Sequence, residues 1–419
     1  MKALFYAVNP IGWATCRWLK YLWPGCLLSR LNGLSLRQVS VPELPARDWV
    51  LVRTILGGIC GTDVAVLSQQ PPPNSILQAF SSMPMILGHE NVAVVEEVGP
   101  AVDPSWKQRR VCVETTLCCA VRGIDPPCDR CREGQFGACE NLGACGQGTA
   151  GLPPGTNIGY NSRTGGSFGE YFVAHESQLV PVPEELTDEQ AVVTDPVACA
   201  LHAALRTNLS GVERVLIYGT GALGLGLVAA MRAIGYAGRI DSLDRHEYLG
   251  ELAVAMGAEE ALSLPARPAE RFERVAEQTG STVHRARFGS YMLSGGYDVI
   301  FDLVGSARSI NETLRWTRAR GQVVMIATGH GGHVDLTPVW LRELTVIGAF
   351  GRQLERFGGR RVSTYQLAHQ MMAEGRINVD RMLTHTYRLE QYREALSVAM
   401  NKARHRAVKV AFDFRPGRG

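Results

Sequence analysis

Five side chains in the first hundred residues are of types that hold and serve a metal ion. Cys60, Thr62 and Asp63 stand together in Gly58-Ile59-Cys60-Gly61-Thr62-Asp63, and His89 and Glu90 follow Gly88. Thiolate, imidazole and carboxylate are the ligand types of zinc. Each fragment alone is weak, because an isolated cysteine is most often core filling and His-Glu pairs arise by chance. A second group is denser: Cys118, Cys119, Cys128, Cys131, Cys139 and Cys145 share one stretch rich in glycine and proline. The chain is long, has eleven cysteines and shows no secretory leader with a small-residue cleavage site. Such a chain clusters cysteines on metal more readily than it pairs them in disulfides. The expected compartment is the cytoplasm.

A third set is a glycine turn, Gly219-Thr220-Gly221-Ala222-Leu223-Gly224. It follows the apolar run Arg214–Tyr218, which reads as a buried strand, and it opens a helical run. In that context the spacing suits a dinucleotide. Gly219 permits the tight turn, and Gly221 lets backbone approach a pyrophosphate. Ala222 and Leu223 open the helix whose free N–H groups face the phosphates, and Gly224 lets helix and strand pack closely. Asp244 ends the next strand, where an acid binds the adenosine ribose hydroxyls. A carboxylate there repels a 2′-phosphate, so NAD is expected. The adjacent Arg245 leaves NADP open.

The elements that must position these groups fall into two kinds. Up to about residue 190 the chain reads as short strands, at 2–6, 49–55, 91–99 and 170–174, with a loop-rich region between 100 and 169. From Asp188 onward helices and strands alternate, with strands at 214–218, 239–243, 297–301, 322–326 and 344–348. Alternation of that kind argues a doubly wound parallel sheet. Two helices and a strand at 407–412 close the chain.

With 419 residues the chain is long enough for two domains, and a net charge of +3 is spread without blocks. That excludes a nucleic-acid stripe and a polybasic membrane patch. Segment 11–34 carries Trp13, Trp18 and Trp23, but Arg17, Lys20, Arg30 and Pro24-Gly25 interrupt it, so no membrane span is expected. It reads as a short amphipathic helix over 15–23 packed on its own domain, with a substrate lid, a subunit contact or a membrane-surface contact as other roles. The basic tail 415–418 reads as a frayed terminus.

The order Gly-Ile-Cys-Gly-Thr-Asp, Gly-His-Glu, cysteine cluster and glycine fingerprint resembles the zinc-dependent medium-chain dehydrogenase/reductase family, which includes alcohol, sorbitol, glucose and threonine dehydrogenases. Further stretches that resemble it are Gly166-Ser167-Phe168-Gly169-Glu170-Tyr171, Asp195-Pro196-Val197-Ala198, Asp302-Leu303-Val304-Gly305-Ser306 and Glu343-Leu344-Thr345-Val346-Ile347-Gly348. The resemblance runs from residue 1 to about 412, apart from the insert at 11–34. It implies an α/β protein: a GroES-like β-barrel from 1–190 and 351–419, a structural-zinc lobe at about 118–145, and a Rossmann sheet at 191–350, with the active site in the cleft. It also implies a homodimer or homotetramer.

By the same resemblance Cys60 and His89 bind a catalytic zinc, and Glu90 is a ligand or sits just behind one. Asp195 binds the zinc directly or through water, Asp63 orients the histidine by a hydrogen bond, and Thr62 passes a proton outward. Cys128, Cys131 and Cys139 match three ligands of a structural zinc, with Asp125 or Cys119 as the fourth. Two departures stand out. Ala65 occupies the place of the histidine that ends the usual proton relay, and Asp195 stands where polyol-type members often have glutamate. Phe80, Met83, Tyr160 and the insert are candidates for the substrate pocket. The implied activity is hydride transfer between an alcohol or polyol, or its carbonyl product, and a nicotinamide cofactor. The alternatives are an NADPH-dependent biosynthetic carbonyl reductase and a non-catalytic nucleotide-binding protein of the same fold.

Overall fold

The strand Trp49–Ile59 explains the first unit. Its sequence, WVLVRTILGGI, is buried at nearly every position, which requires neighbours on both edges. It pairs antiparallel with Glu90–Val98 on one side, and with Lys409–Asp413 and Tyr171–His175 along the rest of its length. The sheet runs Leu383–Tyr387, Lys409–Asp413, Trp49–Ile59, Glu90–Val98, Arg110–Val113, Leu179–Pro181. The last strand of the chain therefore lies beside the strand that ends at Cys60, with Val410 opposite Ile59.

The computed structural model describes residues 1–327 and 332–417. It divides into one unit of Met1–Ala198, Gly351–Ala373 and Val379–Gly419, and a second of Cys199–Phe350 and Glu374–Asn378. The boundary falls inside the helix Thr194–Arg206, later than the 190/191 break read from the sequence. A short segment after the sheet, Glu374–Asn378, also belongs to the second unit.

That second unit is a six-stranded parallel sheet in the order Glu260–Leu262, Arg239–Leu243, Arg214–Tyr218, Tyr297–Asp302, Thr317–Met325, Thr345–Gly348. The order reverses between Arg214–Tyr218 and Tyr297–Asp302, the switch point at which such sheets open a crevice for ligands. A hairpin of Thr282–Arg285 and Tyr291–Ser294 interrupts the alternation, and the sequence reading does not contain it.

The insert differs from expectation. Its helix spans Pro10–Leu19 rather than 15–23, because Asn9 caps it, accepting from the Ile11 and Gly12 N–H groups, and Pro10 sits at the first turn. The helix ends before Trp23, and a 3-10 turn follows over Pro24–Leu28. Cys16 and Cys26 are fully buried, while Trp18, Tyr21 and Leu22 are each more than three-quarters exposed. Packing on its own domain thus holds for one face only. A polar clasp fastens that face. Asn32 Nδ2 donates to the Leu27 and Leu67 carbonyls, and Gln69 Nε2 donates to the Trp13 carbonyl and to Asn32 Oδ1. The tail is not frayed at Arg415, which pairs with Asp413, Asp188 and Glu189. Arg418 lies outside the described residues. No helix among the described residues is long and apolar enough to cross a membrane.

Candidate active site

Cys60 follows the central strand and caps the N-terminus of the helix Gly61–Leu67. Asp63, in the first turn, accepts the Cys60 N–H at 2.9 Å and so closes the helix start on the cysteine. His89 and Glu90 lie at the head of the neighbouring strand, brought opposite by the pairing of Gly58 with Glu90. A side chain at Gly58 would run into the Glu90 carboxylate, so the glycine is what lets the two strands place their chemistry together. Cys60, His89 and Glu90 each offer a donor atom, and the three donors lie within 4.8 Å of one another.

Asp63 does not hydrogen-bond His89 as expected. Its Oδ1 stands 3.8 Å from His89 Nδ1, an ion-pair distance, and Nδ1 is buried without a hydrogen-bond partner. Oδ1 instead accepts the Tyr160 hydroxyl at 3.0 Å. Tyr160 is buried against Asp63 and the His89 ring. Thr62 is exposed, with its Oγ1 3.6 Å from Cys60 Sγ.

Asp195 falls outside the three-residue cluster. Its Oδ1 accepts from Arg352 Nη2 and, at 2.7 Å, from the Tyr365 hydroxyl. Burial raises its pKa, but the charges of Arg352 and His89 and the hydrogen bonds from Tyr365 and Arg352 together outweigh that and hold it below the usual carboxylate range. Glu90 has a cation of its own. Lys409 Nζ donates to both carboxylate oxygens at 2.6 Å and lies 3.4 Å from the Ile59 carbonyl. Neither Lys409, Arg352 nor Tyr365 was identified from sequence, since each is remote in the chain from its partner and no spacing signals it.

The charges are unequal. Cys60, Asp63, Glu90 and Asp195 can each carry a negative charge, against the two buried cations Lys409 and Arg352. Burial works against a charge on His89, yet Cys60 and Asp63 raise its pKa to about 10. The donor set of thiol, imidazole and carboxylate fits zinc.

Cys119, Cys128, Cys131 and Cys139 bring all four sulfurs within 4.8 Å of one another, whereas Asp125 is exposed and outside the cluster. Four cysteine sulfurs are a donor group of structural zinc. Cys119 Sγ accepts from the Cys128 N–H at 3.4 Å and from Asn141 Nδ2 at 3.1 Å, and Cys139 Sγ accepts from the Asn141 N–H at 3.4 Å. Against burial, N–H groups of Glu140 and Cys131 bring Cys128 down to about 7, as befits a thiolate ligand. One turn beyond Cys119, the buried guanidinium of Arg122 donates to six backbone carbonyls, those of Leu117, Leu142, Ala144, Leu152, Pro153 and Gly155.

In the second unit the glycine turn joins the strand Arg214–Tyr218 to the helix Ala222–Ala233, which Gly221 caps. Gly219 has φ +103°, and a Cβ there would press on Val304 and Leu303, the residues after the neighbouring strand. A Cβ on Gly221 would meet nothing within 4 Å, so protein packing does not account for that glycine. Close approach of a bound pyrophosphate would. Thr220 Oγ1 is buried without a hydrogen-bond partner, beside the unbonded N–H groups of the first helical turn. Those features fit a dinucleotide phosphate. Asp244 ties the turn together, its Oδ2 accepting the Thr220 N–H and its Oδ1 the His246 N–H. Arg245 is exposed, with Nε 3.1 Å from His246 Nε2.

Residues 46–184 match the family model of the alcohol dehydrogenase GroES-like domain, and residues 222–373 that of zinc-binding dehydrogenases. L-idonate 5-dehydrogenase of Vitis vinifera is 28% identical over 91% of this chain and 92% of its own length. L-threonine 3-dehydrogenase of Legionella pneumophila (strain Corby) is 27% identical over 87% and 93%. A solved structure from Sinorhizobium meliloti 1021, bound to NADP, superposes with a TM-score of 0.68 at 26% identity, covering 92% of this chain and 97% of that one.

Proposed function

The chain belongs to the zinc-dependent medium-chain dehydrogenase/reductase family, and on that footing we propose that it transfers a hydride between an alcohol or polyol, or its carbonyl product, and NAD. The observation that carries this reading is the convergence of Cys60, His89 and Glu90, whose donor atoms lie within 4.8 Å of one another. When bound, zinc supplies Lewis acidity toward a substrate oxygen and the nicotinamide supplies a hydride acceptor.

Cys60, His89 and Glu90 are the residues that would hold the catalytic ion, and three protein donors leave one tetrahedral position for substrate. Lys409 steadies Glu90, and Arg352 with Tyr365 steadies Asp195, which we read as an outer carboxylate. Asp63, itself held by the Cys60 N–H and Tyr160, sets the charge behind His89. The exposed Thr62 hydroxyl takes the substrate proton outward. Ala65, in place of a relay histidine, cannot receive that proton, so the relay ends at another group or at water. Cys119, Cys128, Cys131 and Cys139 would hold a second, structural zinc. Gly219, Gly221, Ala222, Leu223 and Gly224 would cradle the diphosphate, and Asp244 favours NAD. We place the protein in the cytoplasm as a homodimer or homotetramer.

Turnover of an alcohol and polyol panel by the zinc-loaded protein tests the reading. Formation of reduced nicotinamide with NAD, loss of turnover but not of NAD binding in Cys60→Ala, and two zinc ions per chain are the expected results. Nucleotide binding without turnover of any alcohol or carbonyl would leave only the non-catalytic alternative. NADPH-linked carbonyl reduction is a second reading, favoured by Arg245 beside Asp244. Kinetics with both cofactors separates the two.

A further inference from the structure

Two cysteines lie outside both metal clusters and face each other. Cys16, on the helix Pro10–Leu19, and Cys26, in the turn Pro24–Leu28, are fully buried with their sulfurs 2.9 Å apart. Cys26 Sγ also stands 3.7 Å from the Cys16 carbonyl. The segment between them makes a closed loop, and Trp18, Tyr21, Leu22 and Trp23 project from it into solvent. The base of the loop is anchored by the Asn32–Gln69 clasp to the end of the helix Gly61–Leu67.

We propose that Cys16 and Cys26 form a reversible dithiol/disulfide pair that fastens this aromatic loop. Neither cysteine belongs to a group of candidate metal ligands, and two sulfurs so close need only a small rotation to bond. The step is a thiol–disulfide exchange with a low-molecular-weight disulfide such as glutathione disulfide. One cysteine thiolate attacks it and releases one glutathione thiolate. The second cysteine then attacks the mixed disulfide and releases the other. The protein loses two electrons and two protons, and two glutathione thiols carry them away. In a reducing compartment such a pair is a redox-responsive element rather than a permanent staple.

The burial of the pair sets its kinetics. Burial, then the neighbouring thiol, pushes Cys16 up to about 12, so the resting Cys16 is protonated, and both sulfurs are shielded from solvent. Exchange proceeds when the loop opens. Once the bond forms, closure of the loop restricts its open states, and the exposed aromatic side chains are held in one arrangement.

Limited trypsinolysis of the zinc-loaded full chain tests this directly, because Arg17 and Lys20 lie inside the loop. The protein is incubated with excess glutathione disulfide or with dithiothreitol, and its free thiols are then blocked. The oxidised sample should lose two of its eleven thiols, yield a peptide linking Cys16 to Cys26, and be cut at Lys20 severalfold more slowly. Fragments cut within the loop should stay joined until reduced. Cys16→Ser and Cys26→Ser should each abolish the linked peptide and the protection while retaining NAD binding. Mixed glutathione adducts without a linked peptide, linkage of either cysteine to another partner, or equal cleavage in both samples would overturn the proposal.

Discussion

Replacing Lys409 by methionine removes the charge behind Cys60 while keeping most of the side-chain volume. Lys409 donates to both Glu90 oxygens at 2.6 Å, and the side chains are only 5% and 1% exposed, so solvent cannot take over the lost partner. Breaking a pair this deep by removing one member costs about 3–5 kcal/mol, because a charge is left buried and unpaired. Protonation is the escape. A glutamate-type carboxyl that titrates at about 4.3 in the unfolded chain is neutralised at pH 7 for about 3.7 kcal/mol, which caps the loss at about 4 kcal/mol. The cap falls by about 1.4 kcal/mol for each pH unit below 7, so the variant should lose about 1 kcal/mol at pH 5. Lys409→Met with Glu90→Gln removes both charges and should cost about 1 kcal/mol at either pH. Urea denaturation of the metal-free protein at the two pH values measures all three quantities. In zinc-loaded protein the loss should shrink, since the ion balances Glu90. At pH 7, a single variant within about 1 kcal/mol of the parent, or a double variant no better than the single, would refute the idea that this pair is what makes the buried carboxylate tolerable.

Other perturbations address separate features. Cys119→Ser should reduce zinc content from two ions to one per chain, while Asp125→Ala leaves two, as read by metal analysis after gel filtration. Asp244→Ala should lower kcat/KM for NAD by about tenfold or more and narrow the preference over NADP, since it removes both the ribose acceptor and the repulsion of a 2′-phosphate; an unchanged cofactor ratio would contradict the role given to Asp244. His369 is buried between the Pro181 carbonyl and Thr194, and burial lowers its pKa to about 4. Its folded-state pKa is below the unfolded value of about 6.5, so its stabilising contribution is present above that value and is lost as pH falls toward 4. His369→Gln should flatten the part of the denaturation-midpoint profile between those limits.

What could be read from sequence was what is local along the chain. The glycine turn, its strand and its helix occupy consecutive residues, and the period of apolar residues announces each. Cys60 with Asp63, and His89 with Glu90, are likewise neighbours. Lys409 and Arg352 reach their carboxylates only because the last strand pairs with Trp49–Ile59 and because Gly351–Ala373 returns to the first unit. No spacing encodes that return. The fourth lobe cysteine stayed ambiguous because a spacing rule counts along the chain, whereas a helical turn over Cys119–Arg122 brings Cys119 back to the others. The insert helix was misplaced because its apolar residues drew more weight than the Asn9-Pro10 start signal.

Arg122 carries a consequence for how the lobe tolerates change. Its guanidinium meets carbonyls spread from Leu117 to Gly155, and a carbonyl is the same whatever side chain stands beside it. The loops around it are therefore specified through their backbone. An exposed side chain such as Gln147 is free to drift so long as the chain path survives, whereas the buried Ala150 and Leu152 and the left-handed Gly148 and Gly151 are held by packing and backbone geometry. The arginine has no such latitude, since lysine lacks the planar fork that reaches several acceptors at once. Arg122 should therefore be as intolerant of substitution as the four cysteines of the lobe, although it offers no ligand atom to their cluster.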